Sequence, residues 1–320
     1  MVMSTYLVTG VAGFIGSSIA QALIARGERV RGIDNFSTGK RENLIGLEAL
    51  DLIEGDLNAP GLAKRACSGV EFIFHEAALP SVPRSVKDPV ASNDANVNAT
   101  VKLLDAARNG GVKRVVYAGS SSAYGNSPSL PKKEDMLPAP LSPYAVSKLA
   151  GELYMSVFHR VYGLETVTLR YFNVFGPHQD PTSQYSGVLA VFISRMLRNQ
   201  TPTIHGDGEQ SRDFTYIDNA VSANLLAAAA DGGKVAGRVF NVATGSRISL
   251  NQTVELLREM TGYSGNIAYD DERAGDVKHS LADISAAQAQ FGYKPEVSFP
   301  DGLRRTVEWY RGQAARKQAG

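Results

Sequence analysis

The sequence predicts an α/β fold, a doubly wound parallel sheet with a smaller, mostly helical C-terminal substrate domain. Short apolar, β-branched runs alternate with helix-length amphipathic segments through the first half of the chain. Strands of this kind are buried on both faces by the helices that connect them. The first run leads directly into a glycine-rich turn that opens a helical segment. Right-handed crossovers then place ligands at the carboxyl ends of the strands.

The predicted elements alternate along the chain. Strands are expected at 6–10, 29–34, 50–56, 70–78, 112–120, 165–176 and 238–244. Helices are expected at 14–27, 59–68, 89–110, 143–162, 187–199 and 218–231, followed by three short helices in the last 70 residues. The glycine-rich turn at the head of the series is typical of dinucleotide-binding Rossmann domains. We assign to that domain residues 1–176 and 214–248, and to the substrate domain residues 177–213 and 249–320.

The segment 143–162 has clear start signals for a helix. Ser142 is suited to the N-cap and Pro143 to the first helical position. Apolar residues at a spacing of three or four predict one buried face, made of Val146, Leu149, Ala150, Leu153, Val157 and Val161. Tyr144 and Lys148 then lie one turn apart on one side of the helix, near its N-terminus.

Composition and charge exclude several classes of protein. The 33 basic and 32 acidic residues give a net charge of +1, which offers no reason to expect nucleic-acid binding. The single cysteine excludes an internal disulfide framework and fits a reducing compartment. No apolar run reaches the roughly 18 residues of a membrane span, and the chain enters a strand without room for a signal peptide. We expect a cytoplasmic protein, and no metal, because the five histidines show no paired ligand spacing.

The turn "TGVAGFIG" indicates a dinucleotide site. Gly10, Gly13 and Gly16 follow the first strand and open the first helix, where a pyrophosphate accepts hydrogen bonds from the helix N-terminus. Asp34 ends the second strand 18 residues later. A carboxylate there binds the adenosine ribose and repels a 2′-phosphate, which favours NAD over NADP. Asp56, in "GDL" (55–57), either accepts from the adenine amino group or is a solvated turn residue.

A tyrosine and a lysine one helical turn apart predict a catalytic pair beside this cofactor. Free tyrosine has a pKa of about 10, and two nearby cations, Lys148 and the nicotinamide ring, would favour the phenolate of Tyr144. The run "GSSSAYG" (119–125) ends the fifth strand on the same side of the sheet. Ser120 is the first candidate, and Ser121 the second, for a hydroxyl that assists proton transfer; a plain strand-to-loop turn is the alternative.

Together these motifs resemble the extended short-chain dehydrogenase/reductase family over nearly the whole chain. The resemblance rests on the glycine turn, Asp34, "HEAA" (75–78), the serine run, Tyr-x-x-x-Lys and "LRYFNVFGP" (169–177). Within the family the chain looks most like nucleotide-sugar 4-epimerases. "SRDFTYI" (211–217) and "GDVKHSLADIS" (275–285) make it similar to UDP-N-acetylglucosamine 4-epimerases.

The resemblance implies a mechanism and a set of cofactor residues. Tyr144 would take the proton of the sugar 4-hydroxyl while the C4 hydride passes to NAD, and the 4-keto sugar would turn over and take the hydride back on its other face. Ser120 or Ser121 would aid the proton transfer, and Lys148 would also hold the nicotinamide ribose. The further positions that match the family's cofactor contacts are Phe14, Ile15, Asn35, Thr38, Gly39, Leu57, Ala77, Ala78 and Asn96.

The resemblance also implies how the substrate is held. Asn173 and Arg212 match positions near the diphosphate or sugar, and Arg273 and Asp276 match the pair at the uridine end; either arginine could equally form an inter-domain salt bridge. Gln179 and Ser81 are weaker matches that could be ordinary loop residues. Relatives commonly form homodimers through two helices, here 89–110 and 143–162.

The resemblance further implies a specificity residue. Ser280 lies where the family controls sugar size, and a small side chain there leaves room for an N-acetyl group at C2. We therefore expect UDP-GlcNAc and UDP-GalNAc as substrates, with UDP-glucose and UDP-galactose in addition. Pro80 departs from the glycine or basic residue common in relatives, which puts the shape of the sugar pocket in doubt.

Other activities on the same fold remain open. Ser121, Ser122 and Ala123 fill the positions where dehydratases and decarboxylases carry acidic groups, which disfavours both. A UDP-glucuronate 4-epimerase stays open, as does a 4-keto reductase, although the latter usually prefers NADPH. An idle NAD-binding sensor would be expected to lack Tyr144, Lys148 or the serine, and all are present.

Overall fold

The structure, a computed structural model, describes residues 4–181, 187–272 and 277–319. Its strands are β1 (Thr5–Thr9), β2 (Arg29–Asp34), β3 (Asp51–Glu54), β4 (Phe72–His75), β5 (Arg114–Ser120), β6 (Glu165–Tyr171), β7 (Val174–Phe175), β8 (Thr203–His205), β9 (Ser211–Arg212), β10 (Thr215–Tyr216), β11 (Arg238–Val242), β12 (Ile248–Ser249) and β13 (Ala268–Asp270). Its helices are α1 (Phe14–Ala25), α2 (Leu62–Cys67), α3 (Val82–Lys87), α4 (Pro89–Asn93), α5 (Ala99–Asn109), α6 (Pro143–Tyr162), α7 (Val188–Leu197), α8 (Ile217–Ala229), α9 (Gly232–Val235), α10 (Leu250–Thr261), α11 (Ser285–Phe291) and α12 (Phe299–Ala319).

A parallel seven-stranded sheet forms the centre of the fold. Its order is β11-β6-β5-β4-β1-β2-β3, and each neighbouring pair is parallel. Leu7 and Val8 are fully buried and belong to different apolar clusters on opposite faces of the sheet. The predicted doubly wound Rossmann sheet is confirmed. The topology reverses beside β1 and β4, so their carboxyl ends open onto a crevice where ligands bind.

Two predicted elements are interrupted in the structure. The expected strand 165–176 consists of β6 and β7, separated by a turn in which Asn173 has a φ of +39°. The expected helix 89–110 consists of α4, a single π-helical segment at 94–98, and α5. The sequence analysis did not predict α3 or the short strands β8, β9, β12 and β13. The last of the three C-terminal helices, α12, is 21 residues long and not short.

Helix α6 begins and ends as predicted. The Ser142 hydroxyl accepts a hydrogen bond from Ala145 N at 3.1 Å, and Pro143 occupies the first turn. Gly163, with a φ of +75°, ends the helix in the left-handed conformation that glycine favours.

The buried face of α6 is not the predicted one. Val146, Leu153, Val157 and Val161 are 53%, 58%, 47% and 63% exposed. The buried face instead carries Ala145, Ser147, Lys148, Gly151, Glu152, Met155 and Phe158. Gly151 is required there, because a Cβ atom would overlap the Tyr117 hydroxyl. Close packing and polar pairs therefore hold α6 on the sheet, and the apolar stripe faces outward.

Candidate active site

The glycine turn between β1 and α1 fits a dinucleotide pyrophosphate. Gly10 has a φ of +65°, and a Cβ atom on it would lie 2.8 Å from the Ala77 backbone. A Cβ atom on Gly16 would overlap the Gly10 carbonyl oxygen. The N-cap of α1 is Gly13, so no side chain caps the first N–H groups of this helix. Those N–H groups and the helix dipole are suited to bind an anion.

Asp34 is held rigidly at the end of β2. Its Oδ2 accepts from Ala12 N at 2.8 Å and its Oδ1 from Phe36 N at 2.8 Å. Burial raises the pKa of this carboxyl group, and the two backbone hydrogen bonds partly offset the rise. Gly39 packs closely against it, because a Cβ atom on this glycine would lie only 2.9 Å from Asp34 Oδ1. A fixed carboxylate in this position fits a ribose diol and disfavours a 2′-phosphate.

Asp56 and Asn35 meet at the neighbouring strand end. Asn35 Nδ2 donates to Asp56 Oδ2 at 2.9 Å, and Asn58 N donates to Asp56 Oδ1 at 2.7 Å. Both side chains lie on the same cavity wall as Asp34. The adenine end of a dinucleotide would therefore meet an ordered polar edge.

A cavity of about 780 Å³ runs from the glycine turn to the start of α6. The predicted site residues that line it are Gly10, Gly13, Phe14, Ile15, Gly16, Asp34, Asn35, Thr38, Gly39, Asp56, Leu57, Ala77, Ala78, Ser81, Ser120, Ser121, Tyr144, Lys148, Asn173 and Gln179. The fold thus brings the predicted cofactor and catalytic residues into one space. Arg273 and Asp276 lie outside the described residues.

Asn96 does not line this cavity. It is 1% exposed, its Oδ1 accepts from Leu79 N at 2.7 Å, and its Nδ2 donates to Ser147 Oγ at 2.9 Å. These bonds tie the loop after β4 to α6. The structure gives Asn96 a role in holding the cavity walls together, and its contact with the cofactor stays a prediction. Ser81, which does line the cavity, caps α3 by accepting from Arg84 N at 3.1 Å.

Tyr144 and Ser120 meet in the cavity. Burial raises the pKa of the Tyr144 phenol, and hydrogen bonding with the Ser120 hydroxyl partly offsets the rise. The Ser120 hydroxyl is also 2.8 Å from Ser122 Oγ and accepts from Ser122 N at 3.2 Å. Of the two candidate serines, Ser120 is the one placed to interact with the phenol. Ser121 lines the cavity beside it.

Lys148 lines the same cavity as Tyr144, and its ammonium contacts β5. Its Nζ donates to the Ala118 carbonyl oxygen at 2.9 Å and lies 5.0 Å from the centre of the Tyr117 ring. Burial lowers the pKa of Lys148 to about 8, and the Glu76 carboxylate counteracts this shift. Burial is the largest influence on the pKa of Tyr144 in this arrangement, and the joint effect of Lys148 and the nicotinamide ring on that pKa stays a prediction.

Glu76 is a site residue that the motif analysis missed. It lines the same cavity, and its Oε1 accepts a hydrogen bond from Tyr171 Oη at 2.9 Å. Burial raises the pKa of Glu76 to about 7, while Tyr171 and Lys148 lower it. An acidic residue directly after a buried strand was the available signal, within "HEAA" (75–78).

A second cavity, of about 670 Å³, adjoins the first. Asn173 and Gln179 line both cavities, and Arg212 lines the second with Arg195 and Arg198 from the end of α7. Guanidinium groups of this kind suit phosphate oxygens. Sequence reasoning named Arg212 but missed the two arginines of α7, which carry no motif.

Asn173 is held at the junction of the two cavities. Its Nδ2 donates to the Asp213 carbonyl oxygen at 2.9 Å and to Ser280 Oγ at 3.1 Å. The Asp213 carboxylate in turn accepts from Thr244 Oγ1 at 2.6 Å and from Ala282 N at 3.2 Å. Ser280 lines neither cavity directly, but its hydroxyl accepts a hydrogen bond that orients Asn173, which lines both.

Comparison with known proteins decides the family. The profile of the NAD dependent epimerase/dehydratase family matches residues 6–243. The chain belongs to this family. Among curated proteins it is 38% identical to the UDP-glucose 4-epimerase of Mycolicibacterium smegmatis over 317 residues, 96% of this chain and 99% of the relative.

Solved structures agree with this assignment. A UDP-N-acetylglucosamine 4-epimerase from Methanobrevibacter ruminantium M1, in complex with UDP-N-acetylmuramic acid, is 43% identical with a TM-score of 0.93 over 98% of this chain and 100% of that one. The UDP-glucuronic acid 4-epimerase from Bacillus cereus, in complex with UDP-glucuronic acid and NAD, is 33% identical with a TM-score of 0.90 over 97% and 99%. The predicted family and NAD cofactor are confirmed. The chain is an NAD-dependent UDP-sugar 4-epimerase.

Within 4–181, 187–272 and 277–319, no three His, Cys, Asp or Glu side chains come together as metal ligands. In the same part of the chain no helix has the length and apolarity to cross a membrane.

Proposed function

We propose that the enzyme interconverts UDP-GlcNAc and UDP-GalNAc, and that it also accepts UDP-glucose and UDP-galactose. The observation that carries the proposal is the hydrogen bond from Asn173 Nδ2 to Ser280 Oγ, 3.1 Å long, at the junction of the two cavities. Ser280 itself lines neither cavity, but it is next to Asn173, and the resemblance to UDP-N-acetylglucosamine 4-epimerases implies that a small side chain at this position leaves room for an N-acetyl group. The similarity to the Methanobrevibacter UDP-N-acetylglucosamine 4-epimerase supports the same choice.

Tyr144 is the proposed acid–base group. When bound, NAD supplies a reversible hydride acceptor for C4 of the sugar. The Tyr144 phenolate takes the proton of the 4-hydroxyl group as the C4–H bond breaks. After the 4-keto sugar has rotated to present its opposite face, the phenol returns that proton to the ketone oxygen. Ser120, which interacts with the phenol, stabilises the oxygen that loses and regains the proton. A protonated Lys148 in the same cavity favours the phenolate.

The substrate is proposed to span both cavities. Arg212, Arg195 and Arg198 give the second cavity a positive wall, which suits the diphosphate of a UDP-sugar. Asn173 and Gln179 then stand between the diphosphate and the reacting sugar. In this arrangement the sugar extends from the second cavity toward Tyr144. We retain the proposed division into a Rossmann domain and a substrate domain, with the two cavities along their boundary.

We also propose a homodimer in the cytoplasm. The exposed stripe on α6 has Val146, Leu153, Val157 and Val161 as its members. Val86 and Val90, on α3 and α4 beside α6, are 65% and 69% exposed. Contiguous apolar surface of this kind marks a protein interface, and a second copy would cover both elements by a two-fold axis. The outward stripe is the observation that favours the dimer.

Proton NMR of UDP-GlcNAc with the purified enzyme tests the proposal. Growth of the UDP-GalNAc anomeric signal to a constant ratio, without added NAD, is the expected result. Turnover of UDP-glucuronate alone would show instead a UDP-glucuronate 4-epimerase, the activity of the Bacillus cereus relative. No turnover of UDP-GlcNAc, UDP-glucose or UDP-glucuronate, even with NAD added, would make a reductase or an idle NAD-binding protein the better conclusion.

A further inference from the structure

Glu76 is a carboxyl group in the active site that the proposed mechanism does not use. It follows β4 directly, and it lines the cavity that contains Tyr144 and Lys148. Glu76 Oε1 accepts from Tyr171 Oη at 2.9 Å, and Tyr171 Oη accepts from Asn224 Nδ2 at 2.7 Å. The carboxyl group is therefore fixed in place through β6 and α8.

Most titratable groups around Lys148 are uncharged at neutral pH. Burial lowers the pKa of His75 to about 3, so its imidazole is neutral. The Tyr117 and Tyr171 phenols stay protonated because burial raises the pKa of each. Burial also raises the pKa of Tyr144, which becomes an anion only as the base of the proposed reaction. None of His75, Tyr117 and Tyr171 can balance the charge of an ammonium.

The nearby acid on α6 is already paired. Glu152, one turn beyond Lys148, makes a bidentate ion pair with Arg170, with N–O distances of 2.8 Å and 2.6 Å. Its charge is therefore compensated by a guanidinium. Glu76 lines the same cavity as Lys148 and directly follows β4, the strand paired with β5, whose Ala118 carbonyl oxygen accepts from Lys148 Nζ. It is therefore the carboxyl group placed to interact with the ammonium.

Burial and charge act in opposite directions at both groups. At Lys148, burial lowers the pKa of the ammonium to about 8 and Glu76 raises it. At Glu76, burial raises the pKa to about 7 and Lys148 lowers it. Opposite charges at low dielectric favour each other's charged forms, so the two groups titrate as a pair.

We propose that Glu76 is a positioning residue that keeps Lys148 protonated, its carboxylate being held for this purpose by Tyr171 and Asn224. The inference rests on the proposed roles of Tyr144 and Lys148. A buried lysine without a counter-charge would lose its proton more readily, and a neutral amine gives no electrostatic support to the phenolate. Glu76 thereby sets the upper end of the pH range in which the reaction runs.

The test is an NMR titration of Lys148 in the NAD-loaded full chain. Lysine labelled with ¹³C at Cε reports the protonation of each amine, and Lys148→Met assigns the signal. We expect a transition near pH 8 in the wild type. Glu76→Gln should lower it by about one pH unit, since a neutral amide removes the opposing charge. The alkaline limb of kcat/KM should move to lower pH by the same amount.

Three further variants make the test specific. Glu134→Gln removes another partly buried carboxyl group, which accepts from Asn241 N at 2.8 Å, and should leave the Lys148 transition unchanged. Glu76→Asp retains the charge and should restore part of the shift. Tyr171→Phe keeps the carboxyl group but removes its hydrogen bond, so it should shift the transition in the same direction by less.

Three results of these experiments would count against the role of Glu76. An unchanged Lys148 transition in folded Glu76→Gln overturns the proposal. A shifted transition with an unmoved alkaline limb overturns the link between Glu76 and the reaction. Equal shifts in Glu134→Gln would show a general charge effect and would also overturn it. The titration does not depend on turnover, so a wild-type chain that fails to epimerise UDP-sugars defeats the proposed function and leaves this result readable.

Discussion

Arg170 and Glu152 form a buried ion pair beneath the catalytic helix. The two side chains are 2% and 7% exposed, and the guanidinium of β6 binds both carboxylate oxygens of α6. The guanidinium also lies 4.6 Å from the centre of the Tyr124 ring. Because Glu152 is one turn from Lys148 and two from Tyr144, this pair fixes the helix that carries both proposed reactive groups.

Breaking that pair should destabilise the fold strongly. Glu152→Ala leaves a guanidinium buried without its partner, and we expect a loss of about 3–5 kcal/mol in the free energy of unfolding. Urea denaturation followed by circular dichroism measures it. The exposed pair Arg41–Glu54, with side chains 62% and 59% exposed, provides the control: Glu54→Ala should cost less than about 1 kcal/mol. Similar losses in the two variants would contradict the stabilising role given to the buried pair.

Removal of the Tyr144 hydroxyl should stop the reaction and leave the cofactor site intact. We expect Tyr144→Phe to lower kcat by about 10²–10⁴-fold, the range for loss of an acid–base group, while NAD still copurifies. Epimerisation is followed by proton NMR, and NAD is measured in the denatured supernatant. Tyr154→Phe, at a 40% exposed position on the same helix, should retain full activity. Normal turnover by Tyr144→Phe would remove Tyr144 from its proposed role.

A bulky side chain at Ser280 should select against N-acetylated sugars. Ser280→Tyr places a bulky ring next to Asn173, which lines both cavities, so the loss of kcat/KM should be greater for UDP-GlcNAc than for UDP-glucose. One extra or missing group in a pocket typically changes discrimination by about 10–200-fold. Competition between the two substrates in one reaction gives the ratio directly.

Ser280→Ala separates size from hydrogen bonding. It keeps the small volume and removes the acceptor for Asn173 Nδ2, so the ratio between the two substrates should stay close to that of the wild type. Equal losses on both sugars in Ser280→Tyr would rule out Ser280 as the residue that controls sugar size.

A charge in the outward stripe of α6 should produce a monomer. Leu153 and Val157 are 58% and 47% exposed, and Leu153→Glu would place two like charges near a two-fold interface. Size-exclusion chromatography with light scattering should show a dimer for the wild type and half that mass for the variant. Ile45→Glu, at an 80% exposed site away from the stripe, should remain dimeric. A monomeric wild type would refute the interface.

Local sequence signals predicted much of the site. The glycine turn, Asp34, the Ser142 cap and the spacing of Tyr144 and Lys148 depend on a few neighbouring residues, whose geometry follows from backbone conformation and helix periodicity. The fold then places nearly all of these residues around one cavity. Their positions were predictable because parallel strands end at the same edge of the sheet.

Only the tertiary structure shows which residues from distant parts of the sequence pack against each side chain. Periodicity showed that the apolar residues of α6 share one face, but only packing shows that the sheet covers the opposite face, with Gly151 against Tyr117 and Glu152 against Arg170. The hydrogen bonds of Asn96 with Leu79 and Ser147, far from it in the sequence, were likewise visible only in the structure.

The pKa of Lys148 also depends on residues that are distant in the sequence. Glu76 is 72 residues from it in the sequence, and the direction of Lys148 toward Ala118 is set by β5. The sequence by itself determined which groups can do the chemistry and the local geometry of each. Tertiary structure decided their partners and protonation, because burial and electrostatic interactions depend on distances in space and not on separation along the chain.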